Sequence, residues 1–476
     1  MKKIYHISIF WSILFSLAVL SFVSCGEDFP TNMDSPNEVV LKSLKVLNAG
    51  VDGNTVVEGV VDENTKSVWF PRLDAETNVS AIKFEAELSD GAHLEKDTYA
   101  FTFEEGKDAS SVIIKVLNEP RFREYKVTLR LRVPVFGADF SKKQVYDYSG
   151  NELGNPVYPT FTGALTRGSS FDGEYVLIVT RHATLSHLLK VSDLKNNVIT
   201  PIALNLTGVA GGTFPVNVGA KVKNHTYIAN LSGTTGMKIY HWTDPSIAPE
   251  VILNVDPASI PGAGKRHGDN LSYHLDANGN GYFFFGDNAV TEVLRIKIEN
   301  FTNVTEIKVL PTQTRASFNM SMNRVEQTDD YIFSGYETGN VVPLRVVNSD
   351  GALLYAMTNV SSVPSQSADA RVFHFNGERY LMMATAPRYS GNAVLYLYDI
   401  TKGATTIDAL KEFELGDKIP LLQYSIGGGV NTSPATQTGY HIVKDNEGKD
   451  SSLLLYTASN DAGFAIIEVP KKVLDE

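Results

Sequence analysis

The chain has 476 residues, 43% of them hydrophobic and 20% charged, the make-up of an ordinary globular protein too long for one small core. A formal charge of -12 argues against nucleic acid or an anionic lipid surface as partner. It also argues against a strongly anionic polysaccharide, unless a local basic patch exists. Cys25 is the sole cysteine, which excludes an internal disulfide and, once that residue is acylated, thiolate metal sites and cysteine nucleophiles.

In chain order, Lys2 and Lys3 precede an uncharged apolar run, about Ile7 to Val23, and Cys25 follows Ser24 directly. A basic start, a short apolar run and a small residue before a cut are the marks of an export signal. The run is near the lower limit for a membrane span. Phe22-Val23-Ser24-Cys25 resembles the lipobox of bacterial lipoproteins, with Phe22 where that pattern usually has leucine, and Glu27-Asp28 resembles the surface-export signals of Bacteroidota lipoproteins. The resemblance implies a signal peptide over 1–24, lipid on Cys25, and an outer-membrane, cell-surface location with the lipid as the only membrane contact. Cleavage removes two lysines and no acid, taking -12 to -14. Residues 25–37, with Pro30 and Pro36, read as a flexible tether.

Residues 38–135 show period-2 alternation. Tyr125, Val127, Leu129, Leu131 and Val133 share one face of a strand, and Lys126, Thr128, Arg130 and Arg132 the other. Similar runs at Leu41–Leu47, Thr55–Val61, Val79–Leu88 and Val112–Val116, separated by turns such as Asp52-Gly53-Asn54, predict an antiparallel sandwich. Trp69 is expected in its core. Arg123–Leu129 resembles the last strand of bacterial Ig-like domains, which implies a spacer module.

From 136 onward the chain repeats. Tyr175, Tyr227, Tyr282, Tyr331, Tyr380 and Leu453 each open an apolar strand followed by a polar loop and a second apolar strand. The intervals are 49–55 residues until the last, of 73, which predicts an insertion of about 20 residues near Gly416–Thr438. Units of this length with about four strands fit β-propeller blades. The last copy shows three strands, so Gln144–Tyr148 is expected to supply the fourth and close the ring. The predicted fold is all-β: an Ig-like sandwich, then a β-propeller of six blades. A lipobox, an Ig-like module and a propeller together resemble the surface lipoproteins encoded with glycan-uptake systems of Bacteroidota, which implies a role in polysaccharide utilisation and brings no catalytic residue with it.

In such a blade the loop between strands two and three opens on the same face as the loop between blades. The ligand-binding candidates are the polar residues of these loops: Arg181, His182, Arg266, His267, Asp269, Asp287, Tyr336, Arg388, Tyr389 and Asp461. Carboxylates and guanidinium groups hydrogen-bond sugar hydroxyls, and a tyrosine stacks on a ring face. His267 and Asp269, two apart, also form a base-and-orienter pair if they share a face. Asp276-Ala277-Asn278-Gly279-Asn280-Gly281 opens like a calcium loop but lacks a downstream carboxylate, so it reads as a hairpin turn. No metal or cofactor is expected. Three functions fit: capture of a neutral or weakly charged oligosaccharide or polysaccharide for a transporter, a propeller glycosidase or polysaccharide lyase, and a non-catalytic scaffold for other outer-membrane lipoproteins.

Overall fold

A computed structural model describes residues 36–104, 109–132, 135–149, 166–182, 184–233, 235–287, 291–312, 320–335, 344–358, 362–364, 366–386, 391–426, 435–460 and 462–473. Cys25, the signal run and most of the tether lie outside these residues. The fold is nearly all β, with 54% strand and 6% helix. Among the described residues no helix is long and apolar enough to cross a membrane. The chain divides into two compact units, one ending at Pro134 and the other beginning at Val135.

The first unit holds two sheets. One runs Thr55–Glu58, Leu41–Ala49, Ile82–Leu88, Thr98–Tyr99, and the other Val60–Asp62, Ser67–Trp69, Arg121–Arg130, Ala109–Asn118, His93–Leu94. Their inward residues form one core that includes Leu44, Val46, Val68, Ile82, Ile114 and Val127. Tyr125, Val127 and Leu129 are fully buried, as the alternation predicts, and each contributes about 1.5–3 kcal/mol by burial. The Tyr125 hydroxyl accepts from Leu41 N at 3.0 Å and donates to Glu63 Oε2 at 2.7 Å, which satisfies its polar tip. Trp69 corrects the expectation. It is 54% exposed while Val68 and Phe70 on either side are buried, because the same period of two that buries its neighbours turns it outward.

The second unit contains, among the described residues, six four-stranded antiparallel sheets. Their first and last strands are Thr166–Phe171 to Ile202–Ala203, Phe214–Val222 to Glu250–Val255, Ser272–Leu275 to Asn303–Pro311, Ser321–Arg324 to Leu353–Ala356, and Ser367–Phe375 to Leu422–Ile426. The sixth comprises Thr436–Lys444, Asp450–Ser459, Gly463–Pro470 and, from the start of the unit, Gln144–Asp147. The expected closing strand is thus present, with Gln144 opposite Glu468 and Asp147 opposite Ala465.

Successive sheets pack face to face. Leu177, Val179, Ile228 and Tyr240 fill the space between sheets one and two, and Ala229, Ile239, Phe283 and Leu294 that between two and three. The series ends where it began: Tyr456 and Phe464 of sheet six pack on Phe171 and Ile178 of sheet one. Both faces of every sheet are therefore covered, which explains second strands that are apolar without interruption, such as Phe283-Phe284-Phe285. First strands lie side by side. Lys221 N donates to Ser170 Oγ, Met322 N to Ser272 Oγ and Thr438 N to Asp369 Oδ2. Gly168 belongs to this crowded layer, since a Cβ there would lie 2.7 Å from the Val218 backbone.

The insertion lies upstream of its expected position. Gly416–Thr438 holds the ordinary strand Leu422–Ile426 and the start of Thr436–Lys444, whereas the extra length forms a helix, Thr406–Leu415, before them. Thr405 caps it by accepting from Asp408 N, and Ala409, Leu410 and Phe413 are buried. Gly427-Gly428-Gly429 suggested the other place, but a glycine run marks a loop of any length; these residues lie outside the described set.

Candidate functional site

The end of the second unit at which first strands begin and second strands finish gathers several of the expected residues. Arg167 starts the first strand of sheet one, and Arg181 follows the second strand of that sheet. The loop 264–269 leads from sheet two into sheet three, and Asp287 and Glu292 flank the hairpin after Gly286.

Two guanidinium groups face one buried carboxylate, and a third, Arg181, stands near them. Arg266 grips Asp269 through Nε at 2.9 Å and Nη2 at 3.2 Å, while Arg167 Nη2 stands 3.9 Å from Asp269 Oδ1. Arg181 donates from Nε to Asn217 Oδ1 at 2.7 Å and lies over the Phe214 ring, 3.9 Å from its centroid. Burial, reinforced by Arg167 and Arg266 and opposed by Asp269, pulls the Arg181 guanidinium down to about 10. Arg167 and Asp269 are almost fully buried, whereas the Arg266 side chain is 44% exposed and reaches water.

A second group lies behind Arg266. His267 Nε2 donates to Glu292 Oε1 at 2.6 Å, and the same oxygen accepts from Gly264 N at 3.1 Å. Arg266 N donates to Asp287 Oδ2 at 2.8 Å, and His267 N to Ser232 Oγ at 2.9 Å. Gly268 makes this path possible. Its φ is +101°, and a Cβ there would sit 2.1 Å from the Asn230 carbonyl oxygen.

Several expectations change. His267 and Asp269 do not act together: the turn at Gly268 sends Asp269 to Arg266 and His267 to Glu292. His182 is solvent-exposed, with Nδ1 3.3 Å from the Thr184 hydroxyl, and forms no hydrogen bond with the cluster. Asn230 braces its own hairpin, accepting from Lys238 N and donating to Gly236 O. Tyr336, Arg388, Tyr389 and Asp461 lie outside the described residues. Asp276 accepts from Asn278 N and Asn280 N with Gly279 at φ +77°, which is the turn reading. Trp242 is buried and donates to Asn205 O. Arg167 and Asn217 went unnoticed in the sequence, and Glu292 figures there only as a carboxylate too far along to complete a calcium loop at Asp276. Arg167 and Glu292 carried one faint signal, a charged residue within the first two positions of a strand.

Two other cavities offer less chemistry. A polar pocket of about 20 Å³, room for about one water, lies between the starts of four first strands and is lined by Asn270, Ser321, Asp369 and Thr436. Its one carboxylate, Asp369, already accepts from Asn323 Nδ2 and Thr438 N. A larger cleft of about 390 Å³, lined by residues that include Tyr175, Lys190, Lys195 and His441, has Lys195 paired with Glu468 at 2.7 Å.

A family model described as a domain of unknown function, DUF4623, matches residues 27–472. A crystal structure of a DUF4623 family protein from Bacteroides eggerthii is 42% identical and covers 92% of this chain and all of its own, at a TM-score of 0.69. Two fainter likenesses have propeller-like folds. An exo-β-1,3-galactanase from Phanerochaete chrysosporium with galactose is 12% identical, over 71% of this chain and 97% of its own, at TM-score 0.35. TolB from Acinetobacter baumannii is 13% identical, over 80% of each chain, at TM-score 0.33. Likeness at that level carries nothing about chemistry. No curated protein matches the chain.

Proposed function

The chain belongs to the DUF4623 family, and for this member we propose capture of an acidic saccharide at the cell surface. Cys25 carries the lipid, residues 38–135 form an Ig-like spacer, and the six sheets are the blades of a β-propeller whose arginine-rich end is the binding face. The observation that carries the reading is the gathering of Arg167, Arg181 and Arg266 at one end of the sheets, with Arg167 and Arg266 facing Asp269.

That group changes the class of sugar. The net charge of the chain favours a neutral ligand, but binding responds to local groups, and Arg167, Arg181 and Arg266 supply cationic donors suited to a carboxylate or sulfate. Guanidinium binds such groups through charge-assisted hydrogen bonds, and Arg266, whose Nε and Nη2 hold Asp269, is 44% exposed and keeps its remaining N–H donors for a ligand. The saccharide part of the reading is supported by the resemblance to lipoproteins of glycan-uptake systems. Asp269 and Asp287, acids on which a hydrolase or lyase would draw, are both buried and hydrogen-bonded to Arg266, which favours capture over cleavage.

Calorimetry with oligogalacturonides and with neutral oligomers of equal length tests the ligand class. Acidic oligomers are expected to bind at least about tenfold more tightly, to weaken with added salt, and to lose about 1–3 kcal/mol in an Arg181→Ala or Arg266→Ala variant. Equal binding of neutral oligomers sinks the acidic class. New reducing ends or unsaturated products favour an enzyme, and co-purifying lipoproteins without glycan binding favour a scaffold. A Cys25→Ala variant is expected to leave the membrane fraction, and protease added to intact cells to cleave the wild type.

A further inference from the structure

We propose that His267, Asp287 and Glu292 hold a divalent transition-metal ion that locks the loop 264–269. One ring nitrogen of His267 and one carboxylate oxygen from each acid lie within 4.8 Å of one another, and all three residues are buried. The group joins the loop entering sheet three to the hairpin between the second and third strands of that sheet.

The buried lone pairs are the second observation. His267 Nδ1 and Glu292 Oε2 are both shielded from solvent, and neither has a hydrogen-bond partner. A buried acceptor without a partner costs about 1–3 kcal/mol, so such atoms ordinarily have a use. Of the two, Oε2 bears on an ion: the ring nitrogen facing Glu292 is Nε2, so an ion would take the place of its proton, with Nδ1 protonated instead. Two carboxylates and one imidazole together supply a charge of -2, which compensates a divalent cation in a site closed to water. Bonds of about 2.0–2.2 Å in tetrahedral array place ligand atoms a little over 3 Å apart, so His267 Nε2 and Glu292 Oε1, now 2.6 Å apart, would open by under 1 Å around an ion. The nitrogen donor favours zinc or a neighbouring transition ion over calcium, which takes oxygen ligands.

The site would set the geometry of the arginine cluster from behind. Glu292 already accepts from Gly264 N and Asp287 from Arg266 N, so both acids hold the loop from which the Arg266 side chain reaches Asp269. An ion bridging them would tie the loop to sheet three at three points. This holds whether the ligand at the arginine face is a saccharide or not.

The test uses zinc alone. The chain from residue 26 onward is stripped with a chelator, dialysed, and titrated with Zn²⁺ by calorimetry; Co²⁺ absorbance reports the ligand set. One ion per chain is expected, with a rise in melting temperature and the visible bands of a four-coordinate nitrogen-and-oxygen site. Glu292→Gln and Asp287→Asn keep size and packing, and each is expected to weaken Zn²⁺ at least tenfold with an unchanged circular dichroism spectrum; His267→Ala is expected to abolish the cobalt bands. His225→Ala controls for the separate His225–His241 pair, whose ring nitrogens are 2.8 Å apart, and is expected to leave the stoichiometry at one. No zinc uptake by the stripped wild type, or undiminished uptake in both the Gln and Asn variants, overturns the proposal.

Discussion

Replacing Asp269 with asparagine removes a charge and almost no volume, so its effect is electrostatic rather than a cavity effect. Asp269 balances the buried Arg167 at 3.9 Å and the half-exposed Arg266 at 2.9 and 3.2 Å. Breaking a buried ion pair from one side costs about 3–5 kcal/mol, and the long Arg167 contact places this one at the lower end. Arg266 reaches water, so its share is at most about 1 kcal/mol. The expected loss is therefore about 3 kcal/mol, measured by urea unfolding of the second unit through the fluorescence of Trp242, which is buried. The same substitution raises the local positive charge, so sulfate is expected to stabilise the variant more than the wild type, following RT ln(1 + [L]/Kd). A loss under about 1 kcal/mol, or equal sulfate responses, refutes the picture of one carboxylate restraining Arg167 and Arg266.

Other consequences are as direct. Gly268→Ala forces a Cβ to 2.1 Å from the Asn230 oxygen at φ +101°, so it is expected to cost about 1–3 kcal/mol in the thermal melt and to weaken ligand binding by displacing Arg266; wild-type melting and affinity together would refute the claim that the turn is required. Burial holds His274 down to about 3 from 6.5, so its unfolded form takes up a proton that the folded form refuses. Its contribution is intact above pH 6.5 and is lost as pH falls toward 3, and a His274→Asn variant is expected to show a shallower fall in stability between pH 6.5 and 5 than the wild type. Tyr148 donates its buried hydroxyl to Leu194 O at 2.5 Å beside the closing strand. Tyr148→Phe is expected to cost about 1 kcal/mol in the same melt, and no change would show that the bond is not exclusive to the folded ring.

Periodicity made most of the sheet architecture legible. Alternation located Tyr125, Val127 and Leu129 in a core, and the recurrence of Tyr175, Tyr227, Tyr282, Tyr331 and Tyr380 at near-equal spacing marked second strands of successive sheets. The incomplete last copy even pointed to Gln144–Asp147 as its missing strand, because an unpaired edge is costly wherever it occurs. Trp69 and the helix Thr406–Leu415 escaped this reading: the first because size was weighed above its place between two inward residues, the second because a glycine run drew the insertion downstream.

The sequence by itself determined the repeat, the strand faces and the polar loops, since these follow from local periods of two and from turn chemistry. Only the tertiary structure decided which loop residues meet. Arg167 and Asp269 are 102 positions apart, and a left-handed glycine separates His267 from Asp269 into two groups. The charge that a ligand feels depends on the few groups within a Debye length of it, and sheet packing, not composition, chooses those groups.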